Sequence, residues 1–426
     1  MTSAGRLQAA IELLGSIEID RRPADAVANE FFRARRFIGG GDRREISENV
    51  WSVIRARYRL GWWLDRVGAA PTPRLLVFAL SILSGSSANR VAVTCGSSRF
   101  GPPALEDDEH RALARLDQHT LNHPTMSDDV RLEIPDFVEP LLRAHFGDRF
   151  DDECVALMQQ APTDLRVNLL KTTRAAALSA LKEEGFDVKP TELSPWGLRL
   201  FGRQNVSQSR LFHDGWFEMQ DEGSQLVALL AGAKPGMRVI DYCAGAGGKT
   251  LALAMTMNNH GRITACDVSE HRLNGAIKRL RRANVHNVER HLLVTGDKWL
   301  KRQEKKCDVV LVDAPCTGTG TWRRNPDARL RLTTVDLAEL VAKQASILDS
   351  AQRLVRPGGA LVYATCSLLT EEGEEQISAF LERYPEFQLM KIGEMQIGYL
   401  NGDALRLTPA RNNTDGFFCC RMERKK

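Results

Sequence analysis

The stretch MRVIDYCAGAGGKT (residues 237–250) reads as a short apolar strand at 237–240 that ends in a glycine-rich turn and opens directly into a helix near Gly248. Glycines in a first strand-to-helix turn let the backbone approach a ligand, and the helix N-terminus behind them offers unpaired amides. The turn is a site for a nucleotide-type cofactor. It is not a phosphate loop, because GxxxxGK[ST] requires a glycine where Cys243 stands. Nor is it the GxGxxG dinucleotide signature, since Lys249 and Thr250 lead to a leucine and not to a third glycine.

Outward from this turn the same rhythm repeats. Strands at 263–265, 291–294, 309–312 and 360–363 alternate with helices starting near Ser269, Val335 and Thr370, which predicts a doubly wound, mostly parallel α/β sheet. Asp267 follows the second strand by about the interval at which an acidic side chain binds ribose hydroxyls, and Asp297 and Asp313 recur after the third and fourth. Ligands sit at the carboxyl ends of strands in such sheets, so the three carboxylates are candidate cofactor contacts. Two further strands, at 405–407 and 417–422, flank the polar turn RNNTDG (411–416) and predict an antiparallel hairpin closing the sheet edge.

Upstream, residues 1 to about 85 read as helices. Leu7, Ile11 and Leu14 share a face, Pro23 is placed to open a helix, and Asp42 with Glu45 has capping-box spacing ahead of an Ile46, Val50, Val53 stripe. Arg33, Arg35, Arg36, Arg43, Arg44, Arg55, Arg57 and Arg59 surround that stripe, with Tyr58, Trp62 and Trp63 nearby. They fit either a solvated basic face over an aromatic core or a phosphate-contacting RNA surface. Residues 84–129 read as a loop-rich linker, and 132–202 as a small α/β module with helices at 138–146 and 173–184 and strands at 165–168 and 198–201. The expected division is a helical domain with linker at 1–128, a connecting module at 129–205 and the sheet domain at 206–426.

Composition sets the class. With 426 residues, 43% hydrophobic, 26% charged and a net charge of +4, the chain is an ordinary multidomain globular protein, neither disordered nor a disulfide miniprotein. The longest apolar run, 75–83, is about half of what a bilayer span needs and reads as a buried helix. Glu12, Glu18 and Asp20 interrupt any targeting segment, so a cytoplasmic protein without a membrane partner is expected. Nine cysteines without CxxC spacing argue against a disulfide framework and against a metal site.

Two of those cysteines stand out. The fourth strand runs into DAPCTGTG (313–320) and the fifth into ATCS (364–367), so Cys316 and Cys366 lie at carboxyl ends of neighbouring strands facing the cofactor crevice. Cys95, Cys154, Cys266, Cys307, Cys419 and Cys420 read as inert buried thiols. Cytosine C5 chemistry gives a reason for a thiol. C5 is a poor carbon nucleophile until a thiolate adds to C6, and the resulting enamine can attack an electrophilic methyl group. Arg272, Lys278, Arg279, Arg281 and Arg282 decorate the helix after Asp267, and WRRNPD (322–327) after the first cysteine fits a clamp for an extruded base.

Together DYCAGAGGKT, DAPCTGTGTWRRNPD (313–327), ATCS, QDEGSQL (220–226) and TDGFF (414–418) closely resemble the Sun/Fmu-type RNA cytosine-C5 methyltransferases, over essentially the whole chain. Bacterial members with a NusB-like helical N-terminal domain act on small-subunit (16S) ribosomal RNA, and the helices after Asp42 resemble that domain. The resemblance implies a Rossmann-like sheet and S-adenosylmethionine held by Cys243, Ala244, Gly245, Ala246, Gly247, Gly248, Lys249, Asp267, Asp297 and Asp313. Arg272 belongs either to the cofactor end or to the RNA surface. It implies Cys366 as nucleophile and Cys316 as an aid to product release, with Asp313 and Lys249 completing the catalytic set. The expected partner is rRNA and the expected state a monomer without metal. Rival readings are a tRNA or DNA cytosine-C5 methyltransferase and a non-catalytic ribosome-assembly factor. The first loop departs from the commoner AlaAlaProGlyGlyLys of the family in lacking proline.

Overall fold

The computed structural model describes residues 1–202, 204–392 and 402–426. The chain forms two compact units, Met1–Met158 with Trp322–Leu332, and Gln159–Thr321 with Thr333–Lys426. The boundaries expected at 128 and 205 fall inside the first and second unit respectively.

The second unit begins with a small antiparallel sheet of β1 (Thr163–Val167), β2 (Val188–Pro190), β3 (Gly197–Leu200) and β4 (Phe217–Met219), ordered β2-β3-β1-β4. β2 and β4 are too short for the sequence to announce them. The larger sheet comprises β5 (Arg238–Asp241), β6 (Arg262–Asp267), β7 (Val288–Leu292), β8 (Cys307–Asp313), β9 (Val355–Thr365), β10 (Phe387–Leu389), β11 (Ala404–Leu407) and β12 (Phe417–Arg424). Its order is β10-β12-β9-β8-β5-β6-β7, with β11 pairing β12. The five strands from β7 to β9 are parallel, as the alternation with helices predicted. The order reverses between β5 and β8, and in such sheets that switch point opens the ligand crevice.

The C-terminal hairpin forms and closes the edge where β11 pairs β12, and β10 continues that side beyond it. β12 is an inner strand: its buried run Phe417, Phe418, Cys419 and Cys420 lies between β9 and β11, and its end Met422, Glu423 and Arg424 pairs antiparallel with β10.

In the first unit, helices Ser3–Ile19, Ala24–Ala34, Gly40–Arg55, Arg57–Arg66 and Pro73–Leu83 share one core. Leu76, Val77, Phe78 and Ala79 are consecutive and all inaccessible, so the 75–83 run is indeed a helix buried all round. The loop-rich reading of 84–129 is corrected. Helices Ala88–Thr94 and Asp107–Ala114 lie there, capped by Ser87 and by Glu106 with Glu109, and Val91, Leu113 and Leu116 join the same core. Helices of seven and eight residues are too short to declare a period. Asp42 is not an N-cap either. The helix begins at Gly40, and the Asp42 carboxylate is taken by Arg6 and the Met1 amino group.

The segment Trp322–Leu332 is built into this helical core, which overturns its reading as a base clamp. Trp322, Arg323 and Arg329 are buried. Asp327 accepts the Ala24 N–H at 3.0 Å, capping a helix whose own N-cap, Pro23, has no side-chain hydrogen bond. Arg329 donates to Arg55 O at 2.8 Å and lies 3.8 Å from Glu133, whose carboxylate also takes the Tyr58 and Arg59 amides at the start of Arg57–Arg66. Burial pushes the Glu133 carboxyl up and the Arg329 guanidinium down from their ordinary values, so desolvation outweighs their attraction. Such a pair adds little net stability, yet breaking it is costly. Glu133→Ala should therefore lower unfolding free energy by about 3–5 kcal/mol in urea denaturation, and adding Arg329→Met should recover part of the loss. A double variant as unstable as the sum of the singles would contradict this account.

Candidate active site

β5 ends at Asp241 and the chain turns through Cys243, Ala244, Gly245, Ala246 and Gly247 into helix Gly248–Thr256. Gly247 sits at φ +80, and a Cβ there would meet Ala276 Cβ at 3.1 Å, so glycine is required for this turn to pack on the next helix. Gly245 has φ +54 with nothing within 4 Å of a Cβ, so its backbone is open to a ligand. Its N–H donates to Asp267 Oδ2 at 2.9 Å, while Asp267 Oδ1 takes the Ser269 N–H at 2.8 Å. The Asp267 carboxylate thus links turn to strand end, and each oxygen keeps capacity for a further donor. This donor and acceptor set fits the ribose end of a nucleoside cofactor.

Asp297 caps the helix Lys298–Gln303. Asp297 accepts the Trp299 N–H at 2.8 Å and pairs with His291 Nε2 at 2.6 Å, the imidazole stacking on Trp299. Arg272 is exposed in the first turn of helix Glu270–Arg282. Along that helix Lys278 and Arg281 are also exposed, whereas Arg279 and Arg282 both pair with the buried Glu218 of β4.

At the switch point, where β5 and β8 pair in parallel, an ion pair also spans their carboxyl ends. Lys249 Nζ, on the helix after β5, is 2.7 Å from Asp313 Oδ2, at the end of β8. Burial is the largest influence on this lysine and works against its charge, but Asp313, with Cys366 and Asp241, outweighs it, and its pKa lies above the ordinary value. The Lys249 ammonium also stands 5.5 Å over the Phe417 ring.

β8 and β9 pair in parallel with Asp313 opposite Ala364, so the residues that follow leave the sheet side by side. Cys316 Sγ and Cys366 Sγ are 3.4 Å apart. The hydrogen bond to Cys366 and then burial hold the Cys316 thiol well above its ordinary pKa, with the Cys366 and Glu372 charges adding to the effect. Gly320 N donates to Cys366 O at 3.0 Å and Gly416 N to Gly320 O at 2.8 Å. A Cβ on Gly320 would fall 2.3 Å from Gly416 O, which explains why both glycines belong to the two motifs that meet here. QDEGSQL joins the same knot, for Asp221 accepts the Asp415 N–H of TDGFF.

Two further side chains belong to the site. Arg166 of β1 is buried and donates to Gly248 O at 2.8 Å and to Gln220. Asp241 is inaccessible, accepts Thr250 Oγ1 at 2.7 Å through Oδ2, and has no partner for Oδ1. Burial first, then the Asp313 and Asp267 charges, raise its pKa to about 7. The hydrogen bond from Thr250 and the charge of Lys249 oppose this rise.

The consequence has a sign. Below about pH 4 the carboxyl is protonated in folded and unfolded chains alike. From there to about pH 7 the unfolded chain ionises while the folded chain keeps its proton, so this group's contribution to stability falls as pH rises. Asp241→Asn should therefore flatten the decline of unfolding free energy between pH 5 and pH 7.5 in urea titrations. Parallel profiles for variant and parent would refute the shifted acid.

Among the described residues no helix is long and apolar enough to cross a membrane, and no group of three or more His, Cys, Asp or Glu side chains could hold a metal ion. The family model of the 16S rRNA methyltransferase RsmB/F matches residues 228–423, and the model of the ferredoxin-like domain of RsmF/B-like methyltransferases matches 134–207. The ribosomal RNA small subunit methyltransferase B of Xanthomonas campestris is 34% identical over 88% of both chains. Among solved structures, PH0851 is 26% identical with a TM-score of 0.80, covering 100% of this chain and 99% of that one. A methyltransferase homolog protein from Pyrococcus horikoshii is 29% identical with a TM-score of 0.62, over 72% of this chain and all of that one. With that degree of identity extending through nearly nine-tenths of both sequences, the chain belongs to the ribosomal RNA small subunit methyltransferase B family.

Proposed function

We propose that this small-subunit rRNA methyltransferase acts on C5 of a cytosine through a covalent cysteine adduct. The observation that carries the reading is the pair of thiols 3.4 Å apart at the carboxyl ends of adjacent parallel strands, beside the Lys249–Asp313 ion pair. S-adenosylmethionine supplies an electrophilic methyl group. The turn at 243–249 with Asp267 would hold it, and Asp297, Asp313 and Arg272 are proposed to complete the contacts. Cys366 would add as thiolate to C6, giving an enamine whose C5 would take the methyl group as its bond to the sulfonium sulfur breaks, the neutral thioether being the leaving group. Asp313, held by Lys249, would accept from the N4 amino group at the N3 edge of the ring. Loss of the C5 proton then re-forms the double bond and expels the Cys366 thiolate, a step in which Cys316 assists. The exposed arginines of the helical unit are proposed to bind RNA phosphates. Arg33, Arg36 and Arg44 are exposed, whereas Arg43 donates to the Ile38 and Phe32 carbonyls and Arg59 pairs with Glu133.

The decisive experiment incubates the protein with labelled S-adenosylmethionine and small-subunit rRNA, tRNA or DNA and maps the labelled base. Label at C5 of an rRNA cytosine is expected; label on tRNA or DNA alone, or none, rejects the substrate or the chemistry. Cys366→Ser should give neither methylation nor adduct, because a hydroxyl is a far weaker nucleophile than a thiolate near neutral pH. Cys316→Ser should methylate once and stall as a denaturation-resistant protein–RNA complex. Swapped phenotypes would reverse the two roles.

Arg36→Glu with Arg44→Glu should raise KM for rRNA, spare kcat and reduce the salt dependence of binding by roughly 0.7–0.9 in log–log slope per lost contact. An unchanged slope would place the RNA elsewhere.

A further inference from the structure

Behind Cys316 lies a buried carboxylate that the reaction above does not use. Glu372 closes the short turn Thr370–Glu372 that follows β9, and it is completely inaccessible. Its Oε1 accepts the Thr317 N–H at 2.9 Å and Gln344 Nε2 at 2.9 Å, and its Oε2 accepts the Thr317 hydroxyl. The same Gln344 amide nitrogen donates to Pro315 O at 3.0 Å. Residues on both sides of Cys316 are thus tied to one carboxylate and one carboxamide. Gln344 is itself fixed, since Tyr363 OH donates to its Oε1 at 3.2 Å and to the Glu372 carbonyl at 2.9 Å.

We propose that Glu372 is a positioning residue for Cys316, its carboxylate pinning the turn at 315–317 so that this thiol stays against Cys366. The inference rests on the division of labour between the two thiols given above. Three donors from Thr317 and Gln344 converge on the carboxylate, which is the pattern of an ionised acceptor. Among the described residues its hydrogen-bond partners include no lysine or arginine. A buried carboxylate without a cation is costly, and an amide or hydroxyl could brace a turn with less desolvation. The charge has a use at this place. After the hydrogen bond to Cys366 and burial, the Glu372 charge adds to what favours the protonated Cys316 thiol, whereas Cys366 couples to the Lys249 ammonium. An anion behind one thiol and a cation beside the other distinguish two chemically identical groups 3.4 Å apart. Ser367, next to Cys366, extends the brace through Thr317 at 3.3 Å and Thr319 at 3.1 Å, so both cysteine loops share one hydrogen-bonded floor.

If Glu372 acts through Cys316, losing it should reproduce the Cys316 phenotype and not a general loss of fold or binding. With labelled S-adenosylmethionine and small-subunit rRNA, Glu372→Ala should complete the first methyl transfer and accumulate covalent complex on a denaturing gel. Turnover should fall roughly 100-fold, the scale of a displaced reacting group, with kcat/KM for both substrates within about twofold of the parent, because release follows methyl transfer. Glu372→Gln, which keeps an acceptor for Thr317 and Gln344, should turn over about tenfold faster than the alanine variant and serves alone if the latter does not melt cooperatively. In a Cys316→Ser background Glu372→Ala should slow release no further. An adduct in Cys316→Ser with none in either Glu372 variant, a loss that multiplies with Cys316→Ser, or a raised KM without adduct overturns the proposal by itself. No adduct in Cys316→Ser overturns the division of the thiols and this proposal with it.

Discussion

The register of β8 against β9 is the constraint on which the site depends. Two parallel strands with Asp313 opposite Ala364 deliver the chain on each side to the same edge at the same height, and only then can residues fifty positions apart bring two sulfur atoms to 3.4 Å. A slip of one residue would turn the side chains at the end of one strand to the opposite face. The register is fixed by burial, since Val309, Val310, Leu311 and Val312 of β8 and Leu361, Val362 and Tyr363 of β9 are all inaccessible on both faces of the sheet. Close glycine contacts then seal the position. Gly320 against Gly416 leaves no room for a Cβ, so the loop bearing Cys316 cannot drift from the turn before β12.

Around these thiols the unit places charges where water cannot screen them. Asp313 is partly accessible and paired with a buried lysine, Asp241 is inaccessible with one oxygen unpaired and holds its proton to about pH 7, and Glu372 is inaccessible beside Thr317. Each buried carboxylate sacrifices hydration, and a fold that sought only stability would replace them with apolar groups. Their concentration at the carboxyl end of one sheet is what perturbed chemistry requires, because charge acts strongly only where the medium is poorly polarisable.

Arginine serves two purposes in this chain. Many of the basic residues that suggest an RNA surface instead close gaps in packing. Arg43 and Arg55 donate to backbone carbonyls, Arg59 pairs with Glu133, and Arg279 with Arg282 fasten a helix to Glu218. A guanidinium with five donors is suited to satisfying carbonyls and carboxylates that would otherwise be orphaned. Fewer arginines are left exposed than a residue count suggests.

The sequence alone determined the parallel sheet, the glycine-rich turn after its first strand, the aspartates at strand ends and the two cysteines that follow strands, because each is a local signal. A strand–glycine–helix rhythm is a property of neighbours along the chain. Tertiary structure decided what depends on partners distant in sequence. Thr317 and Glu372 are 55 residues apart, and before folding Glu372 is one of several acidic residues in TEEGEEQ with nothing to mark it. The segment Trp322–Leu332 has the composition of an RNA clamp, yet it completes the helical core because Asp327 and Arg329 there find an uncapped helix and a buried glutamate. β10 and the inner position of β12 follow likewise from which faces are buried. Periodicity reports the face a residue presents, and only packing reports what that face meets.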